Sequence, residues 1–101
     1  MAETQSELLG MESLGHAAAC LRTVAHPHRL RMIQMLLSNS YTVGELAEAC
    51  SIPPSSASEH LGKMRDRGLL VGNRKGRQIY YAIAEDGLAS IMSCIENRFG
   101  E

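Results

Sequence analysis

The chain predicts a mostly α-helical domain with one small β-hairpin, in the order helix, helix, helix, helix, strand, strand, helix. Three observations carry that prediction. A proline-containing turn, SIPP, separates two short amphipathic segments within residues 43–69. A stretch with period-two apolar alternation follows after a short glycine-bearing basic link. Each end of the chain carries apolar residues at helical spacing over several turns.

The central pair of helices has identifiable boundaries. Thr42 and Glu45 have the Thr-x-x-Glu spacing of a capping box, so a helix is expected to open there, with Leu46 and Ala49 on its buried face. Ser51-Ile52-Pro53-Pro54 cannot continue it, because proline lacks an N–H and restricts the residue before it. A second helix restarts around residues 54–56, where proline is tolerated in a first turn, and Ser56 with Glu59 offers a second capping box. Ala57, Leu61 and Met64 line its inner face, while Ser55, Ser58, Glu59, Lys63 and Arg67 line the other. Gly68 falls where a left-handed C-terminal cap belongs. A short polar helix crossing a first one, with small hydroxyl residues facing outward, is the layout that enters a DNA major groove.

The flanking elements follow the same logic. Residues 1–10 are polar and expected to be flexible, which leaves residues 11–101 as one domain. Residues 11–25 read as a helix with a stripe of Leu14, Ala17, Ala18, Leu21 and Ala25. Pro27 starts a second helix, to about residue 37, with Leu30, Ile33 and Leu37 inward, and Asn39 is a plausible stop. Residues 69–73 and 78–83 form the hairpin, with Ile79, Tyr81 and Ile83 on one face. Its connection, Arg74-Lys75-Gly76-Arg77, carries three cations, as a wing reaching a phosphate backbone or a minor groove would. The alternative is an edge hairpin protected by charge against aggregation. Residues 85–99 form the last helix, with Glu85 and Asp86 in its first turn and a stripe of Leu88, Ile91, Met92, Ile95 and Phe99. Two long terminal stripes exceed the needs of a small core. They are expected to pack against each other and against a second subunit, which would set two reading helices about 34 Å apart.

Charge distribution sharpens the nucleic-acid reading. The net charge is −1, yet residues 61–80 hold six cations against one acid, a local +5 that leaves −6 elsewhere. Phosphate contacts act over about a Debye length, so a local basic surface suffices. The alternative is an ordinary solvated face. No apolar run approaches a membrane span, and the start lacks the pattern of a secretory signal. Three cysteines without a CxxC pair favour a reducing, cytoplasmic setting. No nucleophile–base pairing, glycine-rich phosphate loop or metal triad stands out, so an enzyme is not expected.

The stretch ELAEACSIPPSSASEHLGKMRDRGLLVGNRKGRQIYYAI, with AHPHRLRMIQMLL before it, resembles the ArsR/SmtB family of winged helix-turn-helix repressors. The likeness is carried by Ser58-x-His60-Leu61, Gly68-Leu69-Leu70, Gly76-Arg77 and Tyr80-Tyr81 in order. The resemblance implies a homodimer on double-stranded DNA, bound to an inverted-repeat operator and released by an inducer. By position it implies that Ser55, Ser56, Ser58, Glu59, His60 and Lys63 meet the major groove. Lys63, Arg74, Lys75 and Arg77 supply charge. Glu59 would accept from a cytosine amine or point away, and His60 serves equally as a packed or capping residue.

The family's usual sensor sites are not intact. Two thiolate positions at the start of the first motif helix are Thr42 and Gly44 here. The zinc positions between paired last helices are Glu85, Gly87, Arg98 and Glu101, without imidazoles. The sulfur-sensing cysteine of the second helix is Gln34. No cofactor is required for the fold, and any cofactor is unidentified. Cys20 and Cys94 flank the two terminal stripes and are either a thiol pair sensing an oxidant, sulfide or a soft metal, or two small hydrophobes. His16, one turn before Cys20, is a candidate third ligand. Cys50 reads as core; His26 and His28 flank Pro27, and His26 reads as a helix-start residue rather than either histidine as a ligand. Two rival functions remain at this level: a ligand-independent repressor, and a winged-helix module that binds protein instead of DNA.

Overall fold

The computed structural model describes residues 8–100. Its elements are α1 (Met11–Val24), α2 (Pro27–Leu36), β1 (Tyr41–Thr42), α3 (Val43–Cys50), α4 (Pro54–Asp66), β2 (Leu70–Lys75), β3 (Gln78–Ile83) and α5 (Gly87–Phe99). The three strands form an antiparallel sheet in the order β1-β3-β2. The predicted architecture is present, with one addition: β1, only two residues long, pairs Tyr41 with Tyr81 and Thr42 with Tyr80. The expected flexible segment lies mostly outside the described residues, as does Glu101.

The core forms where α2, α3, α4 and the sheet meet. Met32, Ile33, Leu46, Leu61 and Met64 are its largest fully buried side chains, joined by Leu36, Ala57, Leu70 and Tyr81. Gly72 lies directly across from Tyr81. A Cβ there would come within 3.3 Å of the tyrosine ring and 3.2 Å of Ile79, so glycine makes room for the aromatic side chain.

Local signals hold at several boundaries. The capping box at α3 is formed: the Glu45 N–H donates to Thr42 Oγ1 (3.1 Å) and the Thr42 N–H to Glu45 Oε1 (2.8 Å). Gly68 has φ +79, and the N–H groups of Gly68 and Leu69 donate to Arg65 and Met64 carbonyls. That pair of bonds is the Schellman closure. The α2 helix starts at Pro27, with His26 as N-cap.

Other expectations are corrected. The second capping box does not form: α4 has Pro53 as N-cap without a side-chain bond, and Ser56 lies within the first turn. With Pro54 at the first helical position, the start falls three residues too early for a Ser56–Glu59 box. In α3 the buried residues are Leu46 and Ala47, while Ala49 is exposed. Glu85 and Asp86 precede α5, with Asp86 at the N-cap and Glu85 Oε2 accepting from the Gly87 N–H (3.0 Å).

The terminal helices do not close on each other. They flank a groove of about 270 Å³ lined by Ala17, Cys20, Leu21, Leu88 and Ile91. Instead α5 leans on α2, where Gln34 Nε2 donates to Glu96 Oε2 (2.8 Å). The molecule is spread accordingly: its extents are 53 × 32 × 19 Å and its radius of gyration 15.5 Å, against about 13 Å for a compact chain of this size.

Candidate nucleic-acid interface

The α4 helix turns its two faces to different partners. Ala57, Leu61 and Met64 anchor it in the core, which leaves Ser55, Ser58, Glu59 and Lys63 exposed on the opposite side. Glu59 and Lys63 face each other one turn apart at 3.8 Å, both more than half exposed. Such a pair contributes little to stability, and Lys63 can leave it for a phosphate. Ser56 is half-buried at the margin of the exposed face.

His60 takes the packed role, one of the two the sequence leaves open. It is half-buried and turned toward the start of α2, where its Nδ1 accepts from Arg29 Nε (2.9 Å). Arg29 also donates from Nη1 to the Thr23 carbonyl (2.8 Å). One guanidinium thus ties the end of α1 and the start of α2 to α4. Partial burial holds His60 below its ordinary pKa, and the Arg29 cation and the His26 and His28 rings push the same way. Glu59 pulls weakly in the opposite direction. His60 is therefore a neutral acceptor for Arg29 instead of a cation offered to DNA.

The wing is tighter than a four-residue connection. Lys75 pairs with Gln78, so only Gly76 and Arg77 form the turn. Gly76 has φ +65 and Arg77 does not have positive φ, the pattern of a II′ hairpin with glycine first. Arg74 and Lys75 belong to β2. Arg74 shares a face with Ile79, while Lys75 lies on the other face, its Nζ 5.4 Å from the Tyr80 ring. Three exposed cations thus leave the tip in different directions, with Arg77 at its end. The tip lies against the start of α3, where Val43, Gly44 and Arg77 help line a groove of about 240 Å³. A second tie runs from Arg65 Nη1 to Tyr81 Oη (3.3 Å), joining α4 to the strand that carries the wing.

Sequence reasoning missed Arg29 and Arg65 as positioning residues. Their partners lie 31 and 16 residues away, so no local pattern signals them. Among the other candidates, Cys20 is half-buried in the groove between α1 and α5, while Cys94 is exposed and does not line it. Both are free thiols, and His16 is exposed. Cys50 packs against the core and its thiol donates to the His28 carbonyl (3.8 Å). Burial pushes that thiol's pKa up, against a smaller pull from Arg31, so it is a poor nucleophile. No described helix is long and apolar enough to cross a membrane.

A buried-backed polar helix, a cationic hairpin and the helices that brace them define a winged helix-turn-helix DNA-binding protein. The family comparison agrees: residues 26–70 match the model for bacterial regulatory proteins of the arsR family. The transcriptional regulator YgaV of Escherichia coli is 35% identical over 86 residues, 84% of this chain and 87% of that protein. The chain belongs to the ArsR family, whose members regulate transcription and are not enzymes. Among solved structures, the transcriptional repressor BigR from Xylella fastidiosa superposes with a TM-score of 0.78 at 27% identity, covering 90% of this chain and 97% of that one. A homodimeric winged helix-turn-helix DNA-binding domain from Mycobacterium bovis has the same fold (TM-score 0.77, 24% identity, 87% and 82% covered).

Proposed function

We propose that this chain works in the cytoplasm as a homodimeric repressor that holds an inverted-repeat operator and lets it go when an inducer binds. The observation that carries the reading is the division of α4: a fully buried face fixes the helix, and serines with Lys63 stand free on the other. The serine hydroxyls donate or accept at base edges and phosphates, and Lys63 with Arg74, Lys75 and Arg77 supplies charge that tracks the backbone. Two similar structures support repression and pairing: BigR is a transcriptional repressor, and the Mycobacterium bovis domain is homodimeric. Pairing has a physical motive as well, since Leu14 and Leu21 of α1 and Phe99 of α5 are left in water by the single protomer.

The test is selection of duplexes from a random pool, followed by fluorescence anisotropy against salt. The expected result is a twofold-symmetric site with half-sites about one helical turn apart, and affinity that falls steeply as salt rises. Recovery of no symmetric site, or binding indifferent to salt, would favour a protein-interaction module and end the repressor reading.

A further inference from the structure

Three imidazoles meet at the junction of α2 and α4. His26, in extended backbone before the first turn, folds its ring back beside His28, and His60 reaches them from α4. The ring centroids lie 4.5 Å (His26–His60), 5.3 Å (His26–His28) and 5.9 Å (His28–His60) apart. One nitrogen from each ring lies within 4.8 Å of the other two, and all three residues are half-buried. We propose that His26, His28 and His60 form a site for a borderline divalent transition-metal ion of the zinc, cobalt or nickel class.

The donor set fits that class and excludes others. Three neutral imidazoles suit zinc, cobalt and nickel, and the absence of a carboxylate from the triad disfavours magnesium and calcium. A tetrahedral ion with metal–nitrogen bonds of about 2.0–2.1 Å needs nitrogens about 3.3 Å apart. The rings must close by roughly 1.5 Å, which side-chain rotation supplies without moving either helix axis. A fourth position remains for water or another ligand.

The ion would compete with bonds already present. His26 Nδ1 accepts from the His28 N–H (3.1 Å), and His60 Nδ1 accepts from Arg29 Nε. Each bond fixes the neutral ring with its proton on Nε2. Coordination through Nδ1 displaces the donor, and coordination through Nε2 moves the proton to Nδ1 and breaks the same bond. Loading therefore exchanges the Arg29 tie and the α2 cap for a metal bridge between α2 and α4. Arg29 keeps its bond to the Thr23 carbonyl. The site stands on these residues alone. On the repressor reading it also assigns the inducer's chemical class, because the bridge ends on the DNA-reading helix.

The experiment is cobalt(II) titration of the full chain, metal-free and reduced, without DNA. The expected result is one ion per protomer, with visible ligand-field bands of tetrahedral cobalt and no thiolate-to-metal charge-transfer band. His26→Asn keeps a capping oxygen for the His28 N–H, and His28→Gln substitutes a second-position residue of α2. Each should weaken cobalt by at least about tenfold. Circular dichroism and melting temperature should show both variants folded. The Cys20→Ser, Cys94→Ser double variant should bind as the wild type does. Absence of binding, a thiolate band lost in that double variant, or unchanged affinity in both folded histidine variants would each overturn the site. DNA binding can fail or succeed without altering any of these readings.

Discussion

The α1 and α4 helices carry the same kind of apolar stripe and meet opposite fates. In α4, Ala57, Leu61 and Met64 are wholly inaccessible to water. In α1, Leu14 is 43% exposed and Leu21 52%, and Val24 at the helix end is the one buried residue. The difference lies in what surrounds each helix. The α4 helix sits between α3 and the sheet, so its stripe is covered within the protomer. The α1 helix touches the body only near its C-terminal end, and the groove beside α5 stays open. A stripe thus states that a face is to be covered, and says nothing of whether the cover comes from the same chain.

The contrast is broken most strongly at Leu61. Leu61→Ala should cost about 2–5 kcal/mol of unfolding free energy, read from urea denaturation, because the packed site cannot collapse around the cavity. A much smaller loss would mean that the α4 stripe is no better packed than that of α1.

Leu21→Glu should leave the far-ultraviolet circular dichroism unchanged but weaken self-association at least about tenfold, or ~1.4 kcal/mol, by sedimentation equilibrium. Unfolding instead of dissociation would show that the α1 stripe belongs to the protomer's own core.

Arg77→Ala compares the wing with α4. It should weaken binding to all DNA sequences and reduce the log–log salt slope by about 1 for each protomer. An unaltered slope would remove the wing tip from the phosphate-contacting surface.

The smallest expected effect lies on the half-buried margin of α4. His60 titrates below its ordinary 6.5 in the fold. Its contribution to stability is fully present above the unfolded value and is lost as pH falls through the folded one, because the unfolded chain takes up the proton first. Metal-free protein should therefore lose stability below about pH 6.5. In His60→Gln that acid limb should be shallower, as checked by melting temperature against pH.

Much of the fold was legible because its signals are local. Thr42 and Glu45 make reciprocal bonds three residues apart, Pro53 and Pro54 break a helix wherever they occur, and Gly68 supplies a positive φ. The exposed serine face of α4 was legible for the same reason, since helical spacing fixes which residues oppose Ala57, Leu61 and Met64. The spacing places the three cations at the hairpin end, where the structure has them, but makes the turn two residues too long. Glycine first and Arg77 second suffice for the reversal, and Arg74 and Lys75 are taken up by the ladder.

The sequence by itself determined the order of the helices and the hairpin, the capping box of α3, the Gly68 closure, the inner face of α4 and the cluster of charge around the wing. All of these follow from backbone chemistry and from spacing within a few residues. Only the tertiary structure decided that β1 would borrow hydrogen bonds from β3 and that the terminal helices would stand apart. It also decided between the roles open to His60, turning it toward Arg29, His26 and His28. Those outcomes depend on groups 31 to 62 residues distant in the chain, whose meeting is settled by how the helices pack and not by any pattern along them.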